Sequence, residues 1–166
     1  MLVVGVMAAT TVSLGVSVTV NYEPDVVAKV YVATSNPTNI DDKNYYFSGI
    51  GTFPETAFLV ADNSTTPPAV ISDTTIENAV CDIFGYYTIY VNVINYSRID
   101  IQVSITMTKL DGTPSTKFTP AENLGISSID AKYNETISSG FAVVKVKAIQ
   151  IGIEALKFTV NLSQAT

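Results

Sequence analysis

The chain has 166 residues, 47% of them hydrophobic and 14% charged, with nine Lys and Arg against fifteen Asp and Glu, which suits one domain with a sizeable core and no second one. A net charge of −6 excludes the basic stripe that binding of nucleic acid requires. The absence of histidine removes Ser-His-Asp and Cys-His catalysis and every imidazole metal ligand, and the single cysteine excludes an internal disulfide while leaving an intermolecular one open.

Residues 1–22 carry no charged side chain. As a signal peptide they lack a basic leading region; as a membrane helix they are just long enough, but Thr10, Thr11, Val12, Val16, Val18, Thr19 and Val20 are β-branched and Gly15 interrupts them. The alternation fits a strand better. Val12, Leu14, Val16, Val18 and Val20 form one apolar phase, and Thr11, Ser13, Gly15, Ser17 and Thr19 a small polar one. Such a strand buries its apolar face either in its own sandwich or in a neighbour's. In the second case it completes the neighbour's sheet, which is donor-strand complementation, and repetition of that contact head to tail makes a fibre. On this reading residues 1–22 are an arm and residues 23–166 the β-sandwich body.

Beyond the arm the period is two almost everywhere. Strands are expected at residues 26–33, 45–53, 57–60, 76–83 and 86–94, the last with Tyr87, Ile89, Val91 and Val93 in phase. Residues 98–108 alternate most strictly, with Ile99, Ile101, Val103, Ile105 and Met107 apolar; a hairpin with residues 86–94 through the polar break 95–98 is expected. Asp111-Gly112 is a turn that tolerates positive φ, and residues 113–120 read as a loop. Residues 141–149 form another strand, carrying Lys145 and Lys147 on one face. The last segment slips phase between Ile153 and Leu156, which predicts a β-bulge at Glu154-Ala155. No helical periodicity follows residue 22. Seven to nine strands at this spacing predict a single all-β, Ig-like or pilin-like sandwich with an extended N-terminal donor strand.

Chemistry-bearing motifs are sparse. There is no G-x-S-x-G, no phosphate loop and no CxxC, so no catalysis, no metal and no cofactor is expected. Asn39, Asp41, Asp42 and Asn44 concentrate oxygen ligands without EF-hand spacing, and read as a solvated loop. Cys81, within Ala79-Val80-Cys81-Asp82-Ile83, reads as a small buried hydrophobe. Tyr45-Tyr46-Phe47 and Tyr86, Tyr87 and Tyr90 read as strand aromatics, half of them packed inside, rather than as a sugar-stacking adhesive surface. Four sequons, at Asn63, Asn95, Asn134 and Asn161, fit N-glycosylation of a secreted chain.

The uncharged, alternating arm, the single sandwich body, the sequons and the lack of disulfides together resemble subunits of the archaeal thread filament, a family whose glycosylated subunits are linked by donor-strand complementation; archaeal bundling pili and bacterial biofilm fibres have similar architecture. The resemblance implies an extracellular homopolymer serving adhesion or biofilm formation. It makes Val12, Leu14, Val16, Val18 and Val20 the donor-strand residues and Asn63, Asn95, Asn134 and Asn161 the glycan sites, with identical subunits, N-linked glycans and neighbouring filaments or cell surfaces as partners. The competing reading is a β-sandwich binding module anchored to a membrane through residues 1–20.

Overall fold

The computed structural model describes residues 13–34, 57–64, 74–121, 124–131, 138–150 and 152–166. Ten strands and no helix occur among them: β1 (Ser13–Tyr22), β2 (Ala28–Ala33), β3 (Ala57–Asp62), β4 (Thr74–Val80), β5 (Tyr86–Asn95), β6 (Ile101–Lys109), β7 (Phe118–Pro120), β8 (Gly125–Ile129), β9 (Ser138–Ala148) and β10 (Leu156–Gln164). They form two five-stranded sheets, ordered β4-β1-β10-β6-β8 and β3-β2-β5-β9-β7. The architecture is consistent with a β-sandwich.

Period two dictates what lies between the layers. The first sheet turns Val16 and Val18 of β1, Ile101, Val103 and Ile105 of β6, and Leu156, Phe158, Val160 and Leu162 of β10 inward. The second answers with Val30 and Val32 of β2, Tyr87, Ile89, Val91 and Val93 of β5, and Val144 and Val146 of β9. β6 shows the rule in its plainest form, with Ile101, Val103 and Ile105 buried and Gln102, Ser104 and Thr106 exposed. Branched aliphatics fill such a layer well because their stiff side chains stand off a pleated surface at little entropic cost.

Three sequence expectations are corrected. The hairpin of residues 86–94 with 98–108 does not form: β5 pairs with β2 and β9, and β6 with β10 and β8. Each strand has its own buried phase, so residues 96–100 arch from one sheet to the other, and Asn95 holds that arch. Its Nδ2 donates to the carbonyls of Ile99 at 3.0 Å and Asp130 at 2.9 Å, and its Oδ1 accepts from the Ser97 amide at 2.8 Å. The slip before β10 is likewise a change of sheet, not a bulge. β9 lies in one layer and β10 in the other, joined by a loop in which Gly152 takes a φ of 126°, a region that L side chains rarely enter. Finally, residues 113–120 are not all loop: β7 pairs with the end of β9, and β8, at residues unassigned from sequence, pairs with β6. Short edge strands carry too few residues for a periodic signal. The Asp111-Gly112 turn forms as expected, with Gly112 at φ 85°. The strand expected at residues 45–53 lies outside the described residues.

Candidate functional site: the N-terminal strand, its groove and its hinge

β1 is the element on which the functional reading depends, and the structure seats it inside the chain's own first sheet. It runs parallel to β10 from Val16↔Leu156 to Tyr22↔Leu162, and antiparallel to β4 from Ser13↔Val80 to Val18↔Thr74. Val16 and Val18 are 1% and 0% exposed, and Val20 packs partly buried against the same core. Leu14 lies on the strand opposite Ala79; Val12 lies outside the described residues. The expectation that a second copy must shelter the apolar face is therefore corrected for the single chain: its own groove does so, and residues 13–22 belong to the sandwich rather than to a separate arm. The same pairing rules out one membrane helix through residues 1–20, because residues 13–20 of that stretch are strand. Among the described residues no helix is long and apolar enough to cross a membrane.

The connection from β1 to β2 divides into a pivot and an anchor. Residues 26–28 are fastened to the body by residues 63, 96 and 97, and the end of β1 reaches them through the Tyr22 hydroxyl, which donates to the Ala28 carbonyl at 3.0 Å. The Asn63 amide accepts from the Ala28 N–H and donates to the Val26 carbonyl, both at 2.8 Å. The Val27 N–H donates to Ser97 Oγ at 2.7 Å, and the Tyr96 N–H donates to the Val27 carbonyl at 2.8 Å. On the strand side, the Glu23 N–H donates to the Leu162 carbonyl at 2.9 Å, and Glu23 Oε2 accepts from the Gln164 N–H at 3.1 Å. Between the two sets sit Pro24 and Asp25, both exposed. Asp25 has a φ of 71°, the one positive value at a non-glycine residue among those described. Asp tolerates the left-handed region better than most residues but is still strained there. The chain thus turns sharply at a single stressed position between an anchored body and a zipped strand.

The sequon asparagines are in unlike places. Asn95 is 0% exposed with its amide fully committed to the arch. A glycan on it would displace those bonds and the surrounding core, so the expectation of glycosylation at Asn95 is corrected. Asn63 is half-buried, with its amide in the anchor just described. Asn161 stands on the outer side of β10, where its Oδ1 accepts from Asn21 Nδ2 at 3.1 Å in an exposed pair, and it is the best placed of the three. Asn134 lies outside the described residues, as do the oxygen-ligand cluster at residues 39–44 and Tyr45, Tyr46 and Phe47.

A cavity of about 370 Å³, lined by Thr34, Ile76, Ala79, Cys81, Tyr86 and Tyr87 among others, opens where β4 turns into β5. Burial, reinforced by the Asp82 charge, pushes the Cys81 thiol up from its ordinary value, which disfavours the thiolate a nucleophile needs. Tyr87 points into the core and its hydroxyl is buried without a partner, whereas Tyr86 lies outside beneath Lys145, whose Nζ is 4.4 Å from the ring centroid. Among the described residues, no group of three or more Cys, Asp or Glu is placed to hold a metal ion. No family model, no curated protein and no solved structure matches the chain.

Proposed function

We propose that the chain is a non-catalytic structural subunit of an extracellular filament, in which β1 leaves its own groove and fills that of the next copy. The observation that carries this reading is the construction of the β1 connection: a strand with no charged residue pairs with β4 and β10, distant in sequence, reaches the body beyond its pivot through the Tyr22 hydroxyl on the Ala28 carbonyl, and is joined to that body by a turn with a positive φ at Asp25. An exchanged strand occupies the same groove in the same register, so the closed chain and the exchanged one share every contact except those of the pivot. Straightening residues 23–25 releases the strain at Asp25, which favours the exchanged form, and their reach of about 10 Å keeps successive bodies in contact. Once seated, the strand dissociates slowly, because its departure exposes both the valine face and the groove, at roughly 25 cal/mol per Å² of apolar surface. A glycan on Asn161 and a surface rich in Ser, Thr and Tyr suit a fibre coat.

A second reading rests on the depth at which Val16 and Val18 sit in the chain's own core: the closed monomer is itself the working form, a β-sandwich module displayed at a cell surface. Electron microscopy of the native, unextracted material separates the two. Fibres one or a few subunits wide support the filament. Dispersed monomers, or closed pairs formed by reciprocal exchange, contradict it.

A further inference from the structure

The pairing registers place several strand ends at one pole of the molecule. β1 begins opposite Val80, where β4 ends; β10 begins opposite Lys109, where β6 ends; β5 begins opposite Lys147, near the end of β9. Six large hydrophobic side chains are exposed among the described residues: Val80 at 47%, Ile83 at 72%, Phe84 at 68%, Leu110 at 57%, Ile149 at 54% and Ile153 at 69%. All six lie at this pole, on its turns and at its strand ends. Scattered apolar residues are ordinary on a protein surface, but exposed large ones confined to one end mark an interaction site.

The charges around these tips are sorted. Lys109, Lys117, Lys147 and Lys157 surround the pole, and the one ion pair among the described residues, Lys29 with Asp62 at 3.7 Å, lies at the other. Among the described residues, the three carboxylates of the pole are turned to the backbone. Asp82 accepts from the Phe84 and Tyr86 N–H groups, Asp111 from that of Thr113, and Glu154 from those of Thr116 and Lys117. The opposite pole carries Glu23, Asp25, Asp100 and Asp130 with Arg98 and no exposed large hydrophobic among the described residues.

We propose that this pole docks on the surface of an anionic lipid membrane, with the tips of Ile83, Phe84 and Ile153 entering the headgroup region and the lysines meeting lipid phosphates. A fluid surface suits separate apolar tips on turns, since it needs no complementary shape, and lysines whose stems lie along apolar surface hold their ammonium groups at headgroup level. A second copy suits the pole less well. Exchange of β1 joins copies through residues 23–25 at the opposite pole, where β1 ends beside Leu162, and stacking pole to pole would oppose like charges. Among the described residues the excess of carboxylates lies at the opposite pole, which turns the molecule so that this end faces an anionic surface.

The test is flotation of the full chain with vesicles of phosphatidylcholine plus phosphatidylglycerol, and with phosphatidylcholine alone. The wild type is expected to float with the anionic vesicles. Phe84→Asp with Ile153→Asp is expected to weaken binding about tenfold or more at an unchanged thermal midpoint, because both side chains are already in water. Lys147→Glu with Lys157→Glu is expected to abolish the preference for anionic lipid. Failure of the wild type to float, equal binding by the Asp variant, or equal affinity for both vesicle types would overturn the assignment. So would oligomers in lipid-free buffer that Phe84→Asp disperses, because the pole would then be a protein contact.

Discussion

Asn95 and Tyr87 lie towards opposite ends of β5 and are opposite in their energetics. The Asn95 amide, 0% exposed, satisfies carbonyls from two separate loops, so its loss leaves several buried acceptors without donors. Asn95→Ala is expected to cost about 2–4 kcal/mol, measured by denaturant unfolding, and Asn95→Asp to cost at least as much, because a carboxylate cannot donate. The Tyr87 hydroxyl has no partner in its buried position and contributes nothing that offsets its desolvation. Tyr87→Phe is therefore expected to stabilise the fold by about 1 kcal/mol. Burial of Tyr87, and burial of Tyr22 with the Asp62 charge added, raises both phenol pKa values well above the ordinary 10.0. The native state keeps these protons when the unfolded chain has released them, so stability is fully present below about pH 10 and falls above it. With no histidine to titrate, the unfolding midpoint is expected to stay nearly flat from about pH 5 to 8 and to drop in alkali, less steeply in Tyr87→Phe.

At the level of elements, the inward faces of β1, β5, β6 and β10 are legible in sequence, while that of β9, where Ala142, Val144 and Val146 are buried, and the partners of the strands are not. Ile101, Val103 and Ile105 announce β6 by alternation alone, and Leu156, Phe158, Val160 and Leu162 do the same for β10. Alternation fixes which side chains turn inward but says nothing of which sheet receives them. The break at residues 95–98 therefore reads equally as a hairpin or an arch, and only the buried Asn95 amide decides for the arch. A bulge and a change of sheet produce the same phase slip in the same way. The candidate site was half visible: the apolar phase of β1 is plain, while its groove between β4 and β10 joins residues far apart in the chain, and the anchor through Asn63 and Ser97 has no sequence signature. Asn63 and Asn95, read as sequons, proved instead to be hydrogen-bonding posts. The pivot yields a prediction with a sign in each direction. Asp25→Val places a β-branched residue at a φ of 71° and is expected to destabilise the closed chain by about 1–2 kcal/mol and to increase the exchanged fraction in size-exclusion profiles. Asp25→Gly removes the strain and is expected to shift the population towards the closed monomer.

For the whole molecule, the proposed filament turns on the balance between two states that bury the same valines in the same groove. The closed state has the higher effective concentration of its own strand, and the exchanged state escapes the strained pivot and gains contacts between bodies. Burial alone does not choose between them, since Val16 and Val18 are equally sheltered in both. Identity of the donor must therefore be read covalently. Thr19 and Thr159 are directly opposite in the parallel pairing of β1 with β10. Thr19→Cys with Thr159→Cys, in a Cys81→Ser background, oxidised in the assembled material and run on a denaturing gel without reductant, records whether the two strands belong to one chain or two. The exchange account predicts a ladder of linked chains that collapses to monomer on reduction. A single monomer band that migrates faster before reduction than after it would show each strand bound in its own groove, and would contradict the account.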